Sequence, residues 1–165
     1  MDPTLTVYRG LKRAGIDFAA SVPCVNLQKL LNLVGEDPEI IHVPVTREEE
    51  GVGLCAGAWM GGQGPALLMQ NSGLGNSINA LASLDLLYRI PLLMIISHRG
   101  CEGEQLVGQM PMGRLTPGLL DVMQIPRFSP APAEAEDTVV RAWTLASAER
   151  RPVAVLLDIA FWRKG

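Results

Sequence analysis

The chain has 165 residues with 48% apolar content, 14 Lys plus Arg and 17 Asp plus Glu, so it can bury one core but not two large ones. Its net charge of −3 comes without a long basic run, which leaves no electrostatic footprint for nucleic acid, and no apolar stretch approaches the ~20 residues that a membrane span requires. Aromatics are scarce at 5% while Gly (17) and Pro (12) are plentiful, the balance of α/β proteins whose small residues let backbones meet at strand-to-helix turns.

In chain order, Asp2-Pro3 reads as an N-cap and a helix-opening proline, with Leu5, Tyr8 and Leu11 at helical spacing as far as Gly15. This start lacks a basic-then-apolar leader and the three cysteines, at 24, 55 and 101, are scattered, so a reduced cytoplasm is expected. An apolar run from Asp17 to Val22 ends at Pro23-Cys24, and Asn26 is positioned to cap a helix through Leu27 and Val34 that Gly35 stops. The alternation continues with a strand at Ile40 to Val45, a helix at Thr46 to Met60, a strand at Ala66 to Met69 and a helix at Asn76 to Tyr88. Leu92 to Ser97 is the clearest buried strand. After a long connection from His98 to Gly113 come a short helix at Leu119 to Met123, a weak strand at Arg127 to Ser129, a helix from Glu134 to Arg150 and a strand at Val153 to Asp158.

Strands such as Leu92 to Ser97 and Val153 to Asp158 are apolar without alternation, which requires both faces to be covered. The expected fold is therefore α/β: a single three-layer domain over residues 1–165, with a mostly parallel six-stranded sheet and helices on both faces. In such sheets ligands sit beyond the carboxyl ends of the strands, which directs attention to residues 22–26, 44–50, 70–76 and 97–114.

Three of these segments carry unusual chemistry. Arg47-Glu48-Glu49-Glu50 opens a helix, where negative charge compensates the dipole, but the small residues that follow (Gly51, Gly53, Ala56, Gly57, Ala58) suit the close approach of something flat or of another backbone. Gln70-Asn71-Ser72-Gly73-Leu74-Gly75-Asn76 supplies amide donors ahead of a helix. It is neither a Walker sequence, since no Gly-Lys-Ser/Thr follows, nor a dinucleotide fingerprint, since Ile78 takes the place of the last glycine. Val22-Pro23-Cys24-Val25-Asn26 lies in a strand-end loop; Cys24 has no partner that argues for a nucleophile, and Cys55 and His42 read as structural. With only two histidines, no metal site is expected on this chain.

Taken together, the Arg-x-Glu-x-Gly-x-Gly pattern at 47–53, Ser-Gly-x-Gly-Asn at 72–76 and the Ile-Pro-Leu-Leu-x-Ile strand at 90–95 resemble the pyrimidine-binding half of thiamine diphosphate-dependent enzymes. Within that family the likeness runs to the split sulfopyruvate decarboxylases and to the phosphonopyruvate decarboxylases, through 48–57, 69–77 and Arg99-Gly100, and it spans nearly the whole chain. The resemblance implies that Glu49 is the glutamate that shares a proton with a pyrimidine nitrogen of the cofactor. Burial between subunits would raise its pKa to suit that role. It further implies cofactor contacts from Asn71, Ser72 and Gly73 and substrate contacts from Arg99, His98 and Gln70. For Asn76 an N-cap role weighs at least as much as a ligand contact. Pyruvate decarboxylases have an acidic first-strand loop and a His-His pair where this chain has Cys24-Val25-Asn26 and His98-Arg99. That difference points to a keto acid with an extra anionic group held by Arg99; the competing reading of Arg99 is a salt bridge to Glu102 or Glu104.

The family's other half holds the diphosphate through Mg2+ with a Gly-Asp-Gly signature and an asparagine ~25–30 residues later, and this chain has none. By resemblance, that signature belongs to a separate β subunit, with thiamine diphosphate shared between chains, Mg2+ on the partner, self-association through the pyrimidine-binding domain and at least an α2β2 assembly. The implied activity is decarboxylation of 3-sulfopyruvate to sulfoacetaldehyde. Phosphonopyruvate is the alternative substrate, and a non-catalytic scaffold or regulatory partner is the alternative class.

Overall fold

The uninterrupted apolar runs become strands covered on both sides. In the computed structural model, which describes residues 2–163, the strands are β1 (Phe18–Ser21), β2 (Ile41–Pro44), β3 (Pro65–Gln70), β4 (Leu92–His98), β5 (Arg127–Phe128) and β6 (Pro152–Asp158). They form one six-stranded sheet in the order β2-β1-β3-β4-β6-β5, and every pairing is parallel. Met1, Lys164 and Gly165, the ends of the span expected to form the domain, lie outside the described residues.

The helices are α1 (Pro3–Arg13), α2 (Gln28–Glu36), α3 (Glu48–Met60), α4 (Asn71–Ala80), α5 (Met110–Val122), α6 (Ala135–Glu149) and α7 (Ile159–Arg163). Period two is hidden inside the apolar runs, because successive side chains of a strand point to opposite faces. Ala66, Leu68, Leu93 and Ile95 pack with α1, α2 and α6, whereas Leu67, Met69, Met94 and Ile96 pack with α3, α4 and α5. No helix among the described residues is long and apolar enough to cross a membrane.

Several boundaries differ from the sequence reading, and the two largest shifts, at the starts of α4 and α5, have non-local reasons. α4 begins at Asn71 instead of Asn76, since the Asn71 side chain anchors the first turn to Arg99 and Thr116. α5 begins at Met110 and carries Pro117 inside it, which shortens the long connection to residues 99–109 with a 3-10 turn at Val107–Gln109. Gly100, at φ +78, and Gly113 permit that early start, because a Cβ on either would overlap the other strand of backbone. Asn26 is no helix cap: it lies in a 3-10 turn and its amide donates to Ser97 Oγ at 3.3 Å. The helix that follows passes Gly35 and ends at Glu36.

Downstream of α4 the chain widens into a π-helical turn, Leu81–Leu86. This places Asp85 at 0% exposure with neither carboxylate oxygen accepting a hydrogen bond. Burial pushes the Asp85 carboxyl up to about 7 and the nearby Cys55 thiol up to about 12. The folded chain then keeps a proton on Asp85 that the unfolded chain releases near pH 4, so stability falls as pH rises from about 4 to 7 and levels off above that. Urea melts at pH 5 and pH 8 should show Asp85→Asn gaining stability over the natural chain on the alkaline side only, by on the order of 3 kcal/mol; the same difference at both pH values would contradict the assignment.

Candidate active site

The chain steps from β1 outward to β2, then back past β1 to β3. Where strand order reverses, the connecting helices leave on opposite faces and a crevice opens beyond the carboxyl ends. The segments after β1, β2, β3 and β4 all reach this edge.

The three glutamates that open α3 do three different things. Glu50 caps the helix, its Oε2 accepting the amides of Thr46 at 3.1 Å and Arg47 at 3.3 Å. Glu48 is buried against α4: Asn76 Nδ2 donates to its Oε2 at 3.0 Å, and its side chain fills the space that a Cβ on Gly73 would need. Glu49 is part-exposed in the first turn of α3, on the segment beyond the carboxyl end of β2. Its Oε1 accepts from Arg47 Nε at 2.5 Å, while its Oε2 is buried without a donor. Its own backbone amide first, and the Arg47 guanidinium second, hold the Glu49 carboxyl below the usual carboxylate range. Within the single chain the amide and the arginine outweigh burial, whereas the expected rise depends on burial between subunits.

The strand ends carry a second polar cluster. Gln70 Nε2 donates to Ser72 Oγ at 2.9 Å and Gln109 Oε1 at 3.1 Å, and the Cys24 thiol donates to Gln70 Oε1 at 3.7 Å. His98 Nε2 lies 3.0 Å from the Gly113 carbonyl. A carbonyl only accepts, so Nε2 carries the proton there. His42 is satisfied by Ser21 Oγ at 2.8 Å, and Cys55 is 1% exposed, both structural as read from the sequence.

One expected ligand contact, the Asn71 side chain, is engaged inside the fold. Asn71, at 0% exposure, donates to the Arg99 carbonyl (3.1 Å) and Thr116 Oγ1 (3.0 Å) and accepts the Arg99 amide (3.0 Å), so its side chain is committed within the fold. Asn76 is no N-cap: it lies inside α4, where Nδ2 donates to Glu48 Oε2 while the rest of the residue is exposed. Arg99 pairs in a fork with Glu104, through Nε at 2.6 Å and Nη2 at 2.9 Å, the salt bridge weighed against its substrate role. Gly73 serves by lacking a side chain. Ser72 remains half-buried beside Gln70.

A buried carboxylate oxygen without a donor is a fitting partner for a ring nitrogen, and Glu49 Oε2 is such an atom at the start of α3. The α/β sheet and this site fit the class of coenzyme-binding domains. The family model for the thiamine pyrophosphate enzyme, N-terminal TPP binding domain, matches residues 4–124, and the chain belongs to that family. Within it, the chain is 55% identical over 98% of its length to the sulfopyruvate decarboxylase subunit alpha of Methanothermobacter thermautotrophicus, covering 99% of that protein. It is 50% identical to the subunit alpha of Methanocaldococcus jannaschii, over 98% of this chain and 96% of that one. The phosphonopyruvate decarboxylase of Streptomyces viridochromogenes is 44% identical over 68% of this chain, which spans 29% of that protein. Among solved structures, benzoylformate decarboxylase from Polynucleobacter necessarius superposes with a TM-score of 0.73 at 16% identity, over 98% of this chain and 30% of that one, a likeness of fold.

Asn71→Ala should remove three buried hydrogen bonds and lower the melting temperature by roughly 5–10 °C. At temperatures where the variant stays folded, cofactor affinity of the complex should change less than about twofold; a loss of affinity with unchanged melting would restore Asn71 as a ligand contact.

Proposed function

We propose that this chain is the pyrimidine-binding subunit of a thiamine diphosphate-dependent decarboxylase that converts 3-sulfopyruvate to sulfoacetaldehyde and carbon dioxide. One observation carries the reading: Glu49 Oε2, buried and without a donor, opens α3 in a chain that aligns end to end with sulfopyruvate decarboxylase alpha subunits. The phosphonopyruvate relatives match a shorter part of this chain at lower identity, which favours the sulfonate substrate.

When bound, thiamine diphosphate would supply the electron sink that accepts the pair released as carbon dioxide leaves. Glu49 would hold a proton at Oε2, shared with a pyrimidine nitrogen. Arg47, on Oε1, fixes the direction of the carboxyl but opposes its protonation, so the role requires further desolvation of Glu49 by a covering surface. Gln70 and Ser72 orient polar atoms at the end of β3, and His98, anchored through Nε2, presents Nδ1 as its remaining polar atom.

The covering surface, in this proposal, comes from partners. From Gly51 to Tyr88 the sole charged residue is Asp85, which is buried. Leu54, Met60, Leu87 and Tyr88 are exposed on these elements. Gly51 is small for an internal reason, since a Cβ would sit 2.6 Å from Leu67 Cδ1, but Gly53 and Gly57 face open space. Their smallness serves an approach from outside the chain. We assign this face to self-association and the crevice to a β subunit carrying the Gly-Asp-Gly motif with Mg2+, in an assembly of at least α2β2. We assign the complex to a reducing cytoplasm, a reading that three unpaired cysteines support.

Co-expression with that β subunit should yield Mg2+-dependent release of carbon dioxide from 3-sulfopyruvate, faster than from phosphonopyruvate. Glu49→Gln should cut kcat by about 10²–10⁴-fold without breaking the complex. An unaltered kcat would remove the proton role and leave a scaffold.

A further inference from the structure

A cavity of about 320 Å³ lies between the loop after β1, the loop after β4 and α7, lined by Val25, Asn26, Arg99, Glu104, Trp162 and Arg163 among others. Its charges are unequal in kind. The Arg99–Glu104 pair is sealed, with side chains 10% and 2% exposed. Glu104 also accepts the amides of Gly100 (3.3 Å), Gln105 (3.0 Å) and Leu106 (3.0 Å). The Arg99 guanidinium first, and these amides as well, hold the Glu104 carboxyl at about 2, against the cost of its burial. The pair is a staple that shapes residues 99–106, and its two charges cancel.

Arg163 is different. Among the described residues it has no acidic partner within salt-bridge distance. Its Nη1 lies over Gly103, 3.3 Å from where a Cβ would stand, so the guanidinium rests against the stapled loop. The helix that carries it is pinned at both ends: Asp158 Oδ1 accepts the Phe161 amide at 2.7 Å, and Trp162 Nε1 donates to the Leu157 carbonyl at 3.2 Å. Opposite, Asn26 is fixed by its bond to Ser97 Oγ. Among the described residues, the cavity is thus lined by one cation without a salt-bridge partner, the exposed Arg163, and by the Asn26 amide, between the apolar walls of Val25, Leu106, Ile159 and Trp162. Such a lining takes a small anion bonded to a short apolar stem.

We propose that Arg163, with Asn26, is the subsite for the second anionic group of the substrate, the sulfonate, and that Arg99 shapes the subsite without binding that group directly. This assignment rests on the decarboxylase reading. The loop 23–26 joins the two: it follows β1 at the crevice, and Val25 and Asn26 form the near wall of the cavity.

The test uses the complex with the β subunit and the variants Arg163→Ala and Arg163→Lys. Arg163→Ala should raise KM for 3-sulfopyruvate by about 10–100-fold while kcat falls less than about threefold, and Arg163→Lys should recover part of the loss. Equal effects on KM and kcat, or none, would overturn the subsite. Independently of turnover, calorimetry with sulfoacetate should show binding to the natural chain and none to Arg163→Ala; equal behaviour of the two would also overturn it. Lack of 3-sulfopyruvate turnover by the natural complex would instead defeat the decarboxylase reading, and the sulfoacetate arm would then decide the anion site alone.

Discussion

The burial of Glu48 against Gly73 sets the rotation of α3, and the rest of the crevice depends on it. Adjacent residues on a helix differ by about 100° in direction. With Glu48 locked between α3 and α4 by Asn76 and by the missing side chain of Gly73, Glu49 has one direction left. Glu50, a further step around, reaches back to cap the first turn. Three identical side chains thus take three roles from geometry alone. The burial of Glu48 has a desolvation cost, which the Asn76 hydrogen bond and the dipole at the start of α3 offset.

The far side of the crevice is built on the same logic with opposite charges. Arg99 and Glu104 leave solvent together, and an ion pair of this kind contributes little net stability while its geometry is specific. What it supplies is shape. Residues 99–106 fold around the carboxylate of Glu104, Asn71 grips the backbone of Arg99 from below, and Gly100 and Gly113 let α5 close over the loop. A loop held by so many internal bonds does not need a ligand to organise it. Arginine in such a sequence therefore reads ambiguously, since a guanidinium that binds an anion and one that staples a loop look the same without partners.

How much of this was legible in the sequence follows from which contacts are local. The strands were legible because apolar runs such as Leu92 to Ser97 are dictated by two-sided burial. The choice of Glu49 came from the family resemblance, with the glycines after it setting the register, because the contacts that separate it from Glu48 and Glu50 are not visible in sequence. The start of α4 was not, since Asn76 is a good cap by composition and only tertiary bonds from Asn71 to Arg99 and Thr116 move the boundary five residues upstream. The early start of α5 escaped for a similar reason: it depends on Gly100 meeting Gly113 across the fold. The five-residue α7 has too short a pattern to register, so Arg163 was missed, although the Asp158 cap before it was a usable signal. Asp85 gave no signal, because a π-helical turn depends on packing and carries no sequence period of its own.

In the proposed assembly, the acidity of Glu49 ties catalysis to association. The chain alone keeps this carboxyl acidic through its own amide and Arg47, yet a shared proton requires a carboxyl that is easily neutralised. Only removal of water from Glu49 reverses the balance, because desolvation penalises the charged form whatever the neighbouring arginine contributes. The stretch from Gly51 to Leu84, which has no charged residue, begins two residues beyond Glu49 on the same helix, so a surface that covers Gly53 and Gly57 is continuous with one that dries the start of α3. Joining of the subunits and readiness of the carboxyl are then one event, and a free subunit would hold its catalytic group in the wrong protonation state.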